Sequence, residues 1–321
     1  MSSQLSIDPY FTNYLEEYLK AYWLRPVTAL VRTLEALELG LHQYPASGAI
    51  EFACGDGVNS FIAKGGKVPW EFDVFKSMSL PSAADFFNGK LDVYDEVDDE
   101  LYRGIKFDRN VLWEAGLDAK QALLDKARVL NAHQQLICHD LNNPLDIADG
   151  TYSFAFSNSL YWIKERKQII DEIYRVLRDR SIAKLVIVNE TFLDGMAWTK
   201  LRPFPFANLL DMGRHSHYKS MLSKDVWEKE FEASGFAIKK ITPMFSDSLV
   251  HMIELHDLRE ISPLTSAMAK SLPVKEMLNI KRHWVEYFVY LFSSMHEDGY
   301  FDVKNGRANY HIFELEKVER G

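Results

Sequence analysis

"EFACGDGVNSF", residues 51–61, follows the apolar pair Ala49-Ile50 and sets two glycines around an acidic residue. An apolar run entering a glycine-punctuated turn, with helix-compatible residues behind it, predicts a strand at 49–54, a turn, and a helix at about 57–64. Gly55 and Gly57 let the backbone bend sharply and let a ligand approach it closely, as nucleotide-binding turns require. The charge narrows the choice of ligand. A dinucleotide fingerprint, G-x-G-x-x-G/A, sets a pyrophosphate on the helix N-terminus, whereas here Ser60 holds the third position and Asp56 lies inside the turn. A carboxylate about 5 Å from a pyrophosphate costs roughly 1 to 3 kcal/mol at an effective dielectric of about 20 to 80. A ligand carrying an ammonium and a sulfonium is attracted instead.

Outward from this turn the chain alternates. Strands are predicted at 111–117, 135–139, 152–157 and 183–189, with helices at 119–130 and 166–178 between them. Near-continuous apolar strands such as "KLVIV" (184–188) belong to a parallel sheet covered on both faces. Ahead of the turn, "DPYFTNYLEEYLKAYWL" (8–24) has aromatics at helical spacing behind Asp8-Pro9, and a second helix runs from about 27 to 39 before Gly40. The aromatic stripe reads first as packing and only second as a substrate wall. Between 65 and 110 the rhythm breaks into a surface insertion containing the acidic run "DVYDEVDDELY" (92–102), a solvated face without a calcium-loop pattern. Beyond 198 the expectations are a helix at 223–233, strands at 236–242 and 249–255, helices at 264–271 and 274–296, and a closing strand at 308–318.

Composition bounds the function. The 321 residues are 47% hydrophobic and 13% aromatic, which is a packed globular chain and no solvated tail. The net charge is −9 and basic residues never cluster beyond short groups, which disfavours a nucleic-acid substrate. The longest apolar runs, such as "WVEYFVYLF" (284–292), fall short of a membrane span. The start "MSSQLSIDPYF" has no signal-peptide pattern. Cys54 and Cys138 lack CxxC spacing, so the reading expects neither a disulfide framework nor a metal, and a cytoplasmic location.

In an open α/β sheet, ligands bind beyond the carboxyl ends of the strands near the switch point. The residues there are Glu51 to Gly57, Asp118, Asp140 and Ser157-Asn158. With these in place the chain resembles a class I S-adenosylmethionine-dependent methyltransferase, of the type 11 kind. "IEFACGDGVNSF" (50–61) is similar to the first motif of that family, and "EAGLDAKQALLDKARVL" (114–130) to its second. "LICHDLNNPLDIADGTYSFAFSNSLYWI" (136–163) resembles the third and fourth, and "IIDEIYRVLRDRSIAKLVIVNET" (169–191) the helix and fifth strand.

The resemblance implies a Rossmann-like, doubly wound α/β fold. It has a mostly parallel seven-stranded sheet with helical cap additions at both ends. It divides the chain into a helical cap, 1–45, and a methyltransferase domain, 46–321, carrying the 65–110 insertion and a helical cap insertion at 258–305. It gives Glu51 the methionine amino group, and lines the methionine portion with the backbone of Ala53, Cys54, Gly55 and Gly57. Asp118, followed by Ala119, takes the ribose hydroxyls, Asp140 the adenine amino group with Leu141 on the ring, and Asn158 lies near the methyl. Two departures stand out. Ala53 replaces the usual first glycine, and 61 residues separate Gly57 from Asp118, so Asp73 in "WEFDVF" competes for the ribose role. The helix "AKQALLDKARVL" directly after Asp118 favours Asp118. Each acidic residue also has a purely structural reading: Asp118 as a cap for that helix and Asp140 as an Asx-turn.

Methyl transfer is a displacement at carbon, for which a protein mainly aligns the partners and excludes water. Where the nucleophile must lose a proton, His215 and His217 of "GRHSHY" and Tyr161 are the candidates, with solvent-exposed histidines the ordinary alternative. The expected acceptor is a small, partly apolar molecule, with no nucleic acid or membrane partner and the oligomeric state open. Competing readings are an NAD(P)-dependent oxidoreductase of similar fold and a non-catalytic S-adenosylmethionine-binding protein.

Overall fold

The sheet reverses direction beside the glycine turn, and this reversal positions everything else. The computed structural model describes residues 9–74, 112–195, 221–256, 261–303 and 307–319. Its strands are β1 Ala49–Phe52, β2 Trp113–Asp118, β3 His133–Cys138, β4 Tyr152–Ser157, β5 Leu177–Val188, β6 Phe236–Met244 and β7 Tyr310–Lys317. They form one seven-stranded sheet in the order β3-β2-β1-β4-β5-β7-β6. β1 to β5 pair in parallel, and β7 runs antiparallel between β5 and β6. The chain winds outward from β1 through β2 to β3, then returns to β4 on the other side of β1. The carboxyl ends of β1 and β4 therefore flank the switch point, where such sheets take ligands.

Helices cover both faces: α1 Pro9–Ala21, α2 Pro26–Leu39, α3 Val58–Ala63, α4 Gln121–Leu130, α5 Arg166–Val176, α6 Thr191–Gly195, α7 Lys224–Ala233, α8 Asp247–His256, α9 Ile261–Lys270 and α10 Val274–Glu297. All four residues of β1 are buried, as an all-round covered strand requires. Ile50 and Phe52 pack with Ile169, Ile173 and Trp227 on one face. Ala49 joins Phe11, Leu30, Phe61 and Phe292 on the other.

The aromatic stripe of α1 is packing. Phe11, Tyr14, Leu15, Tyr18, Leu19, Tyr22 and Trp23 are all buried. Its hydroxyls also fix α1 to α3: Tyr14 donates to the Ala63 carbonyl at 3.0 Å and Tyr18 to the Asn59 carbonyl at 2.8 Å. α2 stops where Gly40 turns left-handed, its N–H returning to the Ala36 carbonyl. The described start of the insertion is bound to the same layer. Val74 donates to the Ala21 carbonyl at 3.0 Å, Trp23 Nε1 to Asp73 at 2.7 Å, and Lys281 of α10 to the Trp70 carbonyl at 2.8 Å. The acidic run at 92–102 lies outside the described residues.

Two expectations are corrected. The strand anticipated at 249–255 is helix α8. Leu249, Val250 and Ile253 recur at helical rather than alternating spacing, and Asp247 stabilises the first turn. The helix expected to reach 178 ends at Val176, because Leu177 already pairs with Tyr152. That pairing needs a register shift between Tyr152 and Phe154, and Arg180 takes φ +63° beside it.

His311 of β7 gives the sheet a pH dependence. Burial, reinforced by Lys224 and opposed by Glu228, pushes its imidazole down to about 4. Asn189 at the end of β5 lies 2.6 Å from its Nδ1. The folded ring stays neutral where the unfolded one takes up a proton. Its contribution is therefore complete above about pH 6.5 and is lost as the pH falls toward 4. His311→Gln is expected to flatten the decline in urea stability between pH 7 and 4.5 by roughly 2 to 3 kcal/mol. An unchanged slope would mean that the ring titrates normally.

Candidate active site at the switch point

The glycine turn is held in an unusual conformation by its neighbours. Ala53, Gly55 and Gly57 have φ of +55°, +57° and +73°. The left-handed conformation costs an L-residue such as Ala53 about 1 to 2 kcal/mol, which surrounding contacts must offset. They are present: Cys54 N–H donates to the Leu117 carbonyl at 2.8 Å, Gly57 N–H to the Cys54 carbonyl at 3.1 Å, and Gly55 N–H to Asp118 Oδ2 at 3.0 Å. A side chain built at Gly55 would meet nothing within 4 Å, so the outer side of the turn is open to a ligand. At Gly57 a Cβ would come 3.2 Å from that of Ala127, so this glycine lets α3 close on α4.

Asp56 answers the question of charge. Its Oδ1 accepts the Val58 N–H at 3.1 Å, so the first turn of α3 already has an anion where a dinucleotide fold would set its pyrophosphate. Burial raises the pKa of this carboxyl, against the pull of the Val58 N–H and Lys126. Cys54 shares the same field: burial, then Glu51, Asp118 and Asp56, push its thiol well above the usual range, so it is no thiolate nucleophile.

Asp118 closes β2 beside the turn. Oδ2 holds Gly55 and Oδ1 accepts the Lys120 N–H at 2.9 Å. Asp118 thus shapes the turn that leads into α4 and does not cap the helix itself, whose N-cap is Lys120, and each of its carboxylate oxygens keeps a second lone pair. Asp73 is buried and accepts Trp23 Nε1 at 2.7 Å. Exposed Asp140 forms an Asx-turn, its Oδ1 taking the Asn142 N–H at 3.0 Å and Nδ2 at 2.7 Å. The Asn142 backbone, then its side chain, hold this carboxyl below the usual range. Leu141 is buried among Leu145 and Ile169, so its side chain serves the core. Ala119 is exposed, and its carbonyl lies 3.7 Å from Cys138 Sγ.

Glu51 is the buried carboxylate of the group, 3% exposed, and its Oε2 lies 2.7 Å from His133 Nε2. At the end of β4, Asn158 Nδ2 donates to Glu35 Oε2 at 3.4 Å, and Glu35 also receives Arg32 Nη1 at 2.6 Å. The pKa of the Arg32 guanidinium is raised: burial acts against this, and Glu35, Tyr22 and Tyr161 outweigh it. α2 therefore brings an ion pair to the strand end. Tyr161 packs toward Val188, Phe192 and Val250. His215 and His217 lie outside the described residues.

His133, Arg32 and Glu35 went unrecognised in the sequence. An Arg and Glu three apart on a helix look like an ordinary surface pair. The one available signal for His133 was Gly116, a glycine inside a buried strand. A separate groove of about 540 Å³, lined by Lys167, Asp171, Glu172 and Arg175, lies at the amino edge of the strands. Two of its cations are spent on its own carboxylates, Arg175 on Glu172 at 2.8 Å and Lys167 on Asp171 at 2.6 Å, and Lys317 donates to the Leu177 carbonyl at 2.7 Å. Among the described residues no group of three or more His, Cys, Asp or Glu is arranged to hold a metal, and no helix is long and apolar enough to cross a membrane.

Residues 107–183, from before β2 into β5, match the family model described as "Methyltransferase domain". No curated protein matches the sequence. Among solved structures, geranyl diphosphate C-methyltransferase from Streptomyces coelicolor is 12% identical with a TM-score of 0.44, over 92% of this chain and 84% of that one. Phosphoethanolamine N-methyltransferase 2 from Haemonchus contortus is 13% identical with a TM-score of 0.46, over 89% of this chain and 53% of that one. The [4+2]-cyclase SpnF is 15% identical with a TM-score of 0.40, over 85% and 75%. Likenesses this distant assign no acceptor to this chain.

Proposed function

We propose that this chain, whose residues 107–183 match a methyltransferase-domain model, is a class I S-adenosylmethionine-dependent methyltransferase that methylates a small, partly apolar acceptor at the switch point. The observation that carries the reading is an open glycine turn with Glu51 in the strand behind it, Asp118 anchoring Gly55 and Asp56 accepting the first N–H of α3, while Asp140 lies just beyond β3. Such a set of carboxylates suits a cationic nucleoside and repels a pyrophosphate. When bound, S-adenosylmethionine supplies a methyl group on a sulfonium that leaves as a neutral thioether.

In this reading the chain's residues bind, orient and exclude water. Asp118 accepts the two ribose hydroxyls through its free lone pairs, Asp140 accepts the adenine amino group, and Glu51 faces the ammonium. The backbone of Ala53 to Gly57 lies along the methionine portion, with Asn158 beside the methyl. Tyr161, together with His215 and His217 from the segment after β5, is proposed to take a proton where the acceptor has one to lose. The helical layer of α1, α2 and α10, with the described start of the insertion bound to it, is proposed as the cover, in a division at 1–45, 46–321, 65–110 and 258–305. That cover and the Arg32–Glu35 pair beside Asn158 favour a small acceptor with both apolar and polar parts. Two free cysteines suit a reducing compartment, and the proposal places the chain in the cytoplasm.

Thermal unfolding with and without ligand tests the cofactor assignment. At about 100 times its dissociation constant, S-adenosylhomocysteine should add roughly 2.7 kcal/mol and raise Tm, while NADH should leave it unchanged. The opposite pattern would favour the oxidoreductase reading.

A further inference from the structure

β3 begins with a histidine that the fold goes out of its way to house. His133 is buried on the strand two places from β1, yet its ring reaches the Glu51 carboxylate across β2. It can do so because residue 116, which pairs directly with Glu51, is glycine. A Cβ there would lie 2.7 Å from His133 Cδ2 and 2.8 Å from Nε2. A Cβ on Gly57 would lie 3.6 Å from His133 Cε1 and 3.2 Å from the Ala127 Cβ. Glycines of β2 and of the turn thus form a slot for a single imidazole.

An ordinary core position would hold an apolar side chain here. Instead, Nδ1 of the ring is buried without a hydrogen bond, an arrangement that a core avoids unless the other nitrogen has a use. With the proton on Nε2, the ring donates to Glu51 Oε2 and leaves Nδ1 bare. Glu51 loses its rotational freedom.

We propose that His133 is a positioning residue for the amino-acid end of the cofactor, locking the Glu51 carboxylate in the orientation that receives the ammonium. The proposal rests on the cofactor assignment above. A carboxylate fixed before binding loses less freedom when the ligand arrives, so the lock should appear as affinity for the ammonium end and nowhere else.

Calorimetry with two probes separates this role from a general packing role. S-adenosylhomocysteine carries the ammonium, and 5′-methylthioadenosine has the same nucleoside without the amino-acid end. His133→Leu is expected to weaken S-adenosylhomocysteine by about tenfold or more, with 5′-methylthioadenosine held within about twofold. His133→Gln, which sets an amide nitrogen near the place of Nε2, should recover most of the loss. Glu51→Gln leaves the slot filled and should give the same selective loss should His133→Leu fold poorly. Equal weakening of both probes by the His133 and Glu51 variants, or none for S-adenosylhomocysteine, would overturn the role of His133 while leaving the cofactor assignment standing. An unsubstituted chain that binds neither probe would overturn that assignment and this proposal together.

Discussion

Asp118→Ala is expected to weaken S-adenosylhomocysteine by about 100-fold or more in calorimetry, with each ribose hydroxyl losing a charged acceptor worth about 1.5 to 3 kcal/mol. The same carboxylate anchors Gly55 N–H and Lys120 N–H, so the substitution also releases the turn and the start of α4. Asp118→Asn separates the two effects. An amide keeps one acceptor oxygen, which can hold the turn, but it lacks the charge and the second acceptor that a vicinal diol matches. Its loss should fall between those of the unsubstituted chain and the alanine variant. Binding by Asp118→Ala within about threefold of the unsubstituted chain would remove the ribose from this strand end, since even one lost charged hydrogen bond exceeds that.

Gly116→Ala should produce the largest stability change at the site. The added methyl would lie 2.7 Å from the His133 ring, whose Cε1 also lies beside Gly57 of the turn. The ring can yield only by breaking its bond to Glu51 or by moving β3. Overpacking of this kind costs about 2 to 3 kcal/mol, which lowers Tm by roughly 3 to 5 °C in a chain of this size. Combining it with His133→Ala removes the obstruction. The double variant is expected to be less destabilised than the sum of the single changes by about 1 kcal/mol or more, measured as urea midpoints at constant m. Strict additivity would show that the two residues do not meet.

What the sequence revealed was local, and what it concealed was distant. Strand, glycine turn and helix at 49–64 announce themselves because the backbone conformation there is dictated by neighbours in the chain. Asp118 is distinguishable from Asp73 for the same reason, since a helix begins directly behind it. α8 is easily misread because "SLVHMIELH" is short and apolar as strand or helix, and only its packing at Leu249 and Val250 separates the two. The Glu51–His133 contact spans 82 positions and the Glu35–Asn158 contact 123. No periodicity encodes such a meeting. Gly116 is its one trace, and a glycine within a strand equally marks a bulge or a tight bend.

The antiparallel β7 lies between β5 and β6, and among the described residues β6 has its ladder on β7 alone. During synthesis, therefore, the chain emerges with β6 made and nowhere to attach it until residues 310–317 have left the ribosome. Up to that moment β5 and β6 both lack the ladder that β7 supplies. A late pause in translation would expose this protein to aggregation more than an early one, and trimming the end of the chain would split the sheet from within rather than shorten it at its rim.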